Sequence, residues 1–387
     1  GLKLRINSTF ILGWILVLVV FAIQHRGVLK AARAQMIMAV IALLPLLIIG
    51  ILPLLRGETP MANYTPFVPL AYDAAGTPVP GMWDMAGITV FAGGLFIAGW
   101  STYAFETAIC YTREFKDPAR DTFRSIFWAG LLCMAVFTLV PFAFQGALGL
   151  TGMLDPGIYS GMGVAKAMAG IVGGGAWVET VIVVLLIISL LLTVSMAMAG
   201  SARTLYQGSI DGWLPKYLSH VNENGAPTAA MWTDLCFNML LLMMSDYVFL
   251  LAIANVNYMI FIFMNLQSGW LHRIDRPQTP RPYRAPRVLL AIGAVLGFVN
   301  LFLMGMGANI WGKGTLSAGI IVALLIIPVF LFRHYVQDKG KFPAQLAEDM
   351  QPEGADEAQV KPRAGMLPYI TLAGGIAAIV AGYMLSA

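Results

Sequence analysis

Residues 91–108 make an apolar stretch long enough to cross a membrane, yet its middle reads Gly99, Trp100, Ser101, Thr102, Tyr103, Ala104, Phe105, Glu106. A lipid-facing helix has no use for hydroxyls and a carboxylate at that depth. Backbone in the hydrocarbon layer must find its hydrogen bonds within the protein, so a Gly-rich polar interruption is tolerated only against protein or a water-filled cavity. Discontinuous helices of this kind are where membrane transporters place substrate sites.

The remainder of the chain also asks for a membrane as its solvent. Of 387 residues, 58% are hydrophobic and 11% charged, with a mean hydropathy of +0.76; a soluble domain averages roughly 25% charged. A span needs about 20 mainly apolar residues. Candidates lie at 8–24, 33–55, 86–112, 125–150, 177–206, 229–246, 247–269, 288–310, 315–333 and 367–386. The expectation is an all-α polytopic membrane protein with ten spans and no soluble domain.

Nineteen of the 24 Lys and Arg residues fall in 24–33, 113–124, 203–228, 270–287 and 333–366, alternate loops that share one side. Lys3, Arg5, Arg56, Lys166 and Lys313 fall on the other. The positive-inside rule makes the first side cytoplasmic and starts the chain outside. The net charge of +4 thus reflects topology and carries no nucleic-acid signal.

The chain opens at Gly1 with two cations and an apolar run too long for a signal-peptide core, and no A-x-A-like site follows promptly. It reads as a piece of a longer protein. Residues 56–85 form a Pro-rich outer rim, 151–176 a Gly-rich outer stretch with short helices, and 337–365 a polar cytoplasmic linker before a last span. Asn63-Tyr64-Thr65 is a glycosylation sequon, a pattern frequent by chance. Cys110, Cys133 and Cys236 lie singly in spans without metal or disulfide spacing, and all four histidines lie in or beside cytoplasmic loops. No metal or other cofactor is expected.

Glu106 is the carboxylate nearest the centre of an apolar span, and burying it ionised and unpaired costs several kcal/mol or more. Its bland reading is a protonated acid bonding a neighbouring helix; its sharp reading is a proton-linked switch, favoured because intramembrane acids are functional by default. Trp100, Tyr103 and Phe105 are either packing aromatics or, beside the break, a lid over a cationic group, worth about 0.5–2 kcal/mol. Ser101, Thr102 and Thr107 either bond back to carbonyls one turn earlier or face a ligand. Thr193, Ser195 and Ser201, among Ala197, Ala199, Gly200 and Ala202, read as a helix-packing surface, with cation ligation the minor alternative. Asn255 and Asn257 read first as interhelical hydrogen-bonding residues and second as substrate contacts.

The ordered motifs resemble the amino acid–polyamine–organocation (APC) transporter superfamily. Trp100 to Ala108 leading to Arg113-Glu114-Phe115-Lys116-Asp117-Pro118 resembles the family's broken sixth helix and its cytoplasmic turn. Gly200-Ser201-Ala202-Arg203-Thr204-Leu205-Tyr206 with Asp211-Gly212-Trp213-Leu214-Pro215 resembles the end of its eighth helix, and Gly225-Ala226-Pro227 the start of its ninth. Arg281-Pro282-Tyr283-Arg284-Ala285-Pro286 resembles the loop before the eleventh, and Gly27 with Ala34-Gln35 the turn between the fourth and fifth.

The resemblance runs from residue 8 to about 333 and implies a LeuT-like inverted-repeat fold, N-terminally incomplete, lacking the first three family helices. It implies a transporter core over 1–333 (family helices four to twelve), a cytoplasmic linker over 334–366 and an additional C-terminal transmembrane helix over 367–387. It further implies substrate binding at the break by Ile97, Gly99, Trp100 and Tyr103, where carbonyls around 97–100 and 103 receive an amino group at the negative end of the half-helix and Trp100 gates; Ser101 and Asn255 join them as substrate-binding candidates on their own reading. Glu106 would be the proton-coupling acid. Ala104 stands where many relatives have Gly, and Ala42 where proton-coupled relatives often carry Lys, which raises obligate exchange beside proton coupling.

The expectation is therefore a multi-pass plasma (inner) membrane permease, not an enzyme, moving an amino acid by alternating access, with its small-molecule substrate, protons and the lipid bilayer as partners and no nucleic acid. The rival readings are an amine or polyamine exchanger or uptake system, and a non-transporting sensor or assembly subunit.

Overall fold

The computed structural model describes residues 6–26, 28–72, 78–103, 105–159, 161–244, 247–277, 279, 281–344, 346 and 363–386. Among them nine helices are long and apolar enough to cross a membrane, and the apolar helix Thr228–Leu242 is shorter, at 15 residues. These coincide with the ten apolar runs of the sequence. Most of the 337–365 tract lies outside the described residues.

In chain order the helices are α1 (Ser8–His25), α2 (Val28–Arg56), α3 (Met85–Ser101), α4 (Pro118–Met153), α5 (Pro156–Tyr159), α6 (Val164–Ile171), α7 (Ala176–Ile210), α8 (Thr228–Leu242), α9 (Tyr247–Asp275), α10 (Arg287–Gly307), α11 (Thr315–Leu324), α12 (Ile326–Leu331) and α13 (Leu367–Ser386). The Pro-rich outer loop holds a small antiparallel hairpin, β1 (Leu70–Tyr72) on β2 (Pro78–Pro80), in the register Leu70 to Pro80 and Ala71 to Val79. Polar residues start several helices by accepting orphan N–H groups of the first turn. Asn7 accepts from Phe10 N at 2.9 Å and Asp84 from Gly87 N at 2.8 Å. Asp117 accepts from Arg120 N at 3.3 Å, with Pro118 at the first helical position, where its missing N–H is not needed.

The chain divides into two compact units, one of Gly1–Phe67, Ala104–Ile210 and Lys216–Ser245, the other of Val68–Tyr103, Asp211–Pro215 and Asp246–Ala387. In the first, α2 packs on α4 and α7, and α1 packs on α7 and α8. Its apolar core gathers Ile49, Phe144, Met168, Ile171 and Ile182. A polar knot lies beside it: buried Gln24 donates through Nε2 to Ser195 Oγ (2.9 Å) and Ser195 O (3.1 Å), and Gln35 Nε2 reaches the same hydroxyl at 3.0 Å. The small-residue surface of α7 thus carries a three-helix hydrogen-bond junction. The sequon asparagine is committed to packing, because Asn63 Nδ2 donates to Gly146 O at 2.7 Å and Tyr64 stacks on Phe142. Gly149 adopts φ 68 inside α4, the left-handed conformation a side chain disfavours, and its Cα faces Asn63.

In the second unit α10 is central, touching α3, α9 and α13 around Phe96, Val256, Met259, Phe263, Leu301 and Met304. Helices in lipid associate by close packing, which small residues permit. Here Gly305 lies against the Ile379 carbonyl of α13, and Gly382 of α13 against the Phe302 carbonyl of α10. Gly307 meets the backbone of Ala92 and Gly93 in the same way. The strap Asp211–Pro215 is held by Arg333, whose Nη1 donates to Leu214 O (2.9 Å) while its Nε pairs with Asp338 Oδ2 (2.5 Å). Arg333 lies in the first positions of a π-helical turn, Phe332–Gln337.

The two glycine types along α13 give a graded test. Gly382→Leu forces side-chain atoms into a backbone carbonyl and should lower stability by about 1–3 kcal/mol, read as a fall in the thermal midpoint of the purified protein. Gly374→Ala meets only the Phe298 ring, at 3.1 Å, and should be milder.

Candidate substrate site at the helix break

The span that begins with α3 does not continue as an α-helix. α3 ends at Ser101, Thr102 caps it with its N–H on Gly99 O (3.1 Å), and the chain resumes at Phe105 as a 3₁₀ segment running to Glu114. Ten residues is long for that tighter helix, which is common only in short pieces. The division between the two units falls at the same place, after Tyr103, so each side of the break is described within its own unit.

On the α3 side, side chains satisfy the carbonyls of the ending helix. Ser101 Oγ donates to Ala98 O at 2.6 Å and Thr102 Oγ1 to Gly99 O at 2.8 Å. Earlier in the helix, Asn255 Nδ2 from α9 donates to Phe96 O at 2.5 Å and Trp311 Nε1 to Gly93 O at 2.8 Å. Asn255 is fully buried, and its Oδ1 has no hydrogen-bond partner among the described residues. Ile97 is half-buried and packs against the α9–α10 core. Gly99 is where the Met259 methyl of α9 comes closest, in space a side chain would need. Tyr103 stacks on Tyr258 with ring centroids 3.5 Å apart, and Trp100, 43% exposed, meets Tyr103 edge-on at 6.4 Å.

This unit therefore brings together, at the carboxyl end of a half-helix, Trp100, Tyr103 and Tyr258. The end of a helix carries partial negative charge and aromatic faces attract cations, so the chemistry matches an ammonium group. Asn257 does not join it, since its Nδ2 bonds Ile253 O of its own helix.

On the other side, the 3₁₀ segment packs on α4 and α7. Glu106 is half-buried there. Thr107 lies against Gly200 of α7, and Cys110 Sγ is 3.5 Å from Thr204 Oγ1. The segment's end is clamped by Arg203, whose Nε lies 2.8 Å from Glu114 Oε1 and whose guanidinium covers the Tyr111 ring at 4.6 Å. Arg203 Nη1 also donates to Ala199 O at 2.9 Å.

Sequence reasoning missed Tyr258, Trp311, the Arg203–Glu114 pair and a second intramembrane acid, Asp234 of α8, whose backbone carbonyl accepts from Asn238 Nδ2 at 2.9 Å. Tyr258 lies three residues after Asn255, hence on its face of the helix, a usable signal; nothing in the sequence marks Trp311. A cavity of about 560 Å³ opens in the first unit among Glu58, Leu148, Asp155, Lys166 and Ile171. None of the break residues lines it.

Residues 3–331 match the amino acid permease family model. A branched-chain amino acid permease, BcaP, of Lactococcus lactis is 25% identical over 309 residues, 78% of this chain and 62% of that protein. The polyamine transporter PUT1 of Oryza sativa is 22% identical over 306 residues (75% and 52%), and an uncharacterized transporter of Legionella pneumophila 25% over 243 (59% and 50%). The chain spans half to about three-fifths of the length of these relatives. A family match over most of the chain, on a multi-pass helical membrane protein broken at mid-span, places it in the amino acid permease family, whose members are transporters of the APC superfamily with the LeuT-like fold.

Proposed function

We propose that this chain forms part of a secondary active transporter of the plasma membrane that moves amino acids by alternating access. The observation that carries the reading is the carboxyl end of α3, an interrupted half-helix with Trp100, Tyr103 and Tyr258 around its last turn. The substrate's ammonium is received there by carbonyls around 97–100 and 103, Trp100 closes over it, and Asn255 holds the Phe96 turn. Glu106 takes the proton-coupling role. The permease relatives support an amino acid cargo; the rice polyamine transporter favours, as a second reading, an amine without a carboxylate.

The deciding experiment reconstitutes the full-length protein in liposomes and measures binding and uptake of a panel of radiolabelled amino acids and amines. Amino acid uptake is expected, with branched-chain residues among those carried. Uptake of amines alone would establish the second reading, and no uptake of either would end the transport proposal.

Asn255→Ala removes the donor on Phe96 O without adding bulk at this fully buried position. One interhelical hydrogen bond in a membrane is worth about 0.6–2 kcal/mol, so affinity should fall several-fold while insertion persists. Unchanged affinity in a stable variant would remove Asn255 from the site.

Glu106→Gln keeps the size and hydrogen bonding of the neutral acid. It should preserve insertion and much of the substrate binding, yet flatten the pH dependence of uptake. A mid-membrane carboxylate exchanges protons between a dry, neutral state and a wet or paired, charged one, and alternating access changes that exposure. An unaltered pH profile in a thermally stable variant rules out the proton-linked role.

A further inference from the structure

The connection between α9 and α10 carries Arg273, Arg276, Arg281, Arg284 and Arg287, with Asp275 as its one acid. Asp275 is engaged, since its Oδ1 accepts the Ala364 N–H at 2.7 Å. Arg281 is folded into the loop: Nη1 donates to Thr279 O (2.9 Å), and Nη2 lies within hydrogen-bond distance of Arg276 O (3.0 Å) and His272 Nδ1 (3.1 Å). The other four guanidinium groups form no ion pair or side-chain hydrogen bond among the described residues. Arg284 and Arg287 are exposed.

Two features set this patch apart from loop charge that merely fixes topology. Its backbone is stiff: among the described residues Pro277, Pro282 and Pro286 fix φ, and Arg281 staples the turn from within. Little conformational entropy is left to lose on binding. Its depth is also defined, because lipid-facing apolar surface begins directly after Arg287, with Val288 at 68% and Leu289 at 56% exposure, and Tyr283 is 47% exposed beside Arg284. Interfacial aromatics mark the headgroup level, so the arginines stand at the height of lipid phosphates.

We infer that the α9–α10 loop is a binding surface for anionic phospholipid in the leaflet on its side, with Arg284 and Arg287 gripping the phosphate and the acyl chains lying along Val288 and Leu289. A guanidinium matches a phosphate's oxygens in a two-pronged geometry, and the apolar face supplies what a free phosphate lacks.

The full chain is placed in nanodiscs of equal phosphatidylglycerol and phosphatidylcholine in both leaflets, and retained lipid is read by native mass spectrometry. Wild type should retain phosphatidylglycerol preferentially. The double variant Arg284→Gln, Arg287→Gln should lose on the order of tenfold of that preference, given the attraction of each basic residue near an anionic surface. The control Arg120→Gln, Arg124→Gln removes the same charge from exposed positions at the start of α4 and should leave the preference unchanged. Replacing chloride by inorganic phosphate at equal ionic strength should not displace the lipid. Equal retention of the two lipids by wild type, equal loss in the control, or a loop variant indistinguishable from wild type overturns the proposal; displacement by inorganic phosphate reassigns the patch to soluble anions.

Discussion

Inside a bilayer no water is at hand to accept or donate a hydrogen bond, so each place where a helix stops must be answered by the protein itself. The end of α3 meets part of that demand with side chains. Gly93, Phe96, Ala98 and Gly99 each have their carbonyl engaged by a side-chain donor, from Trp311, Asn255, Ser101 and Thr102 respectively. Two donors are local hydroxyls and two come from distant helices. The local pair makes stopping possible; the distant pair ties the stopped helix to α9 and to the turn after α10.

The membrane helices were legible because hydropathy and length are one-dimensional quantities, and ten apolar runs have few alternative uses. The break was legible for a related reason: glycines, hydroxyls and a carboxylate at mid-depth conflict with lipid, and that conflict is visible residue by residue. What the sequence withheld was pairing. Nothing along the chain says that Asn255 reaches Phe96, that Tyr258 stacks on Tyr103, or that Arg203 clamps Glu114 at the far end of the resumed segment. The bland reading of Ser101 and Thr102 as residues that bond their own helix is what the geometry shows, and it makes them terminators of α3.

Ser195 illustrates the same divide. Its surroundings of small residues suggested close helix packing, and close packing is present, but the hydroxyl is also where two glutamines from α1 and α2 converge. A buried amide left without a partner costs roughly 1–3 kcal/mol, so Gln24 and Gln35 need that hydroxyl as much as the helices need the small neighbours. A similar logic holds for Arg333: its charge is tolerable in a buried position because Asp338 and the Leu214 carbonyl meet it together.

The boundary between the compact units coincides with the break, and this has a mechanical meaning. A continuous α-helix is a rod with each turn bonded to the next, so one running through residues 99–106 would fix the direction of its second half by that of its first. With the ladder interrupted after Ser101, α3 takes its placement from α9 and α10, while the 3₁₀ segment takes its own from α4 and α7 through Thr107, Arg203 and Glu114. Each half is therefore held by a different set of partners. Such a division suits the transport cycle proposed above, in which one half carries the proposed substrate contacts and the other the proposed protonatable acid.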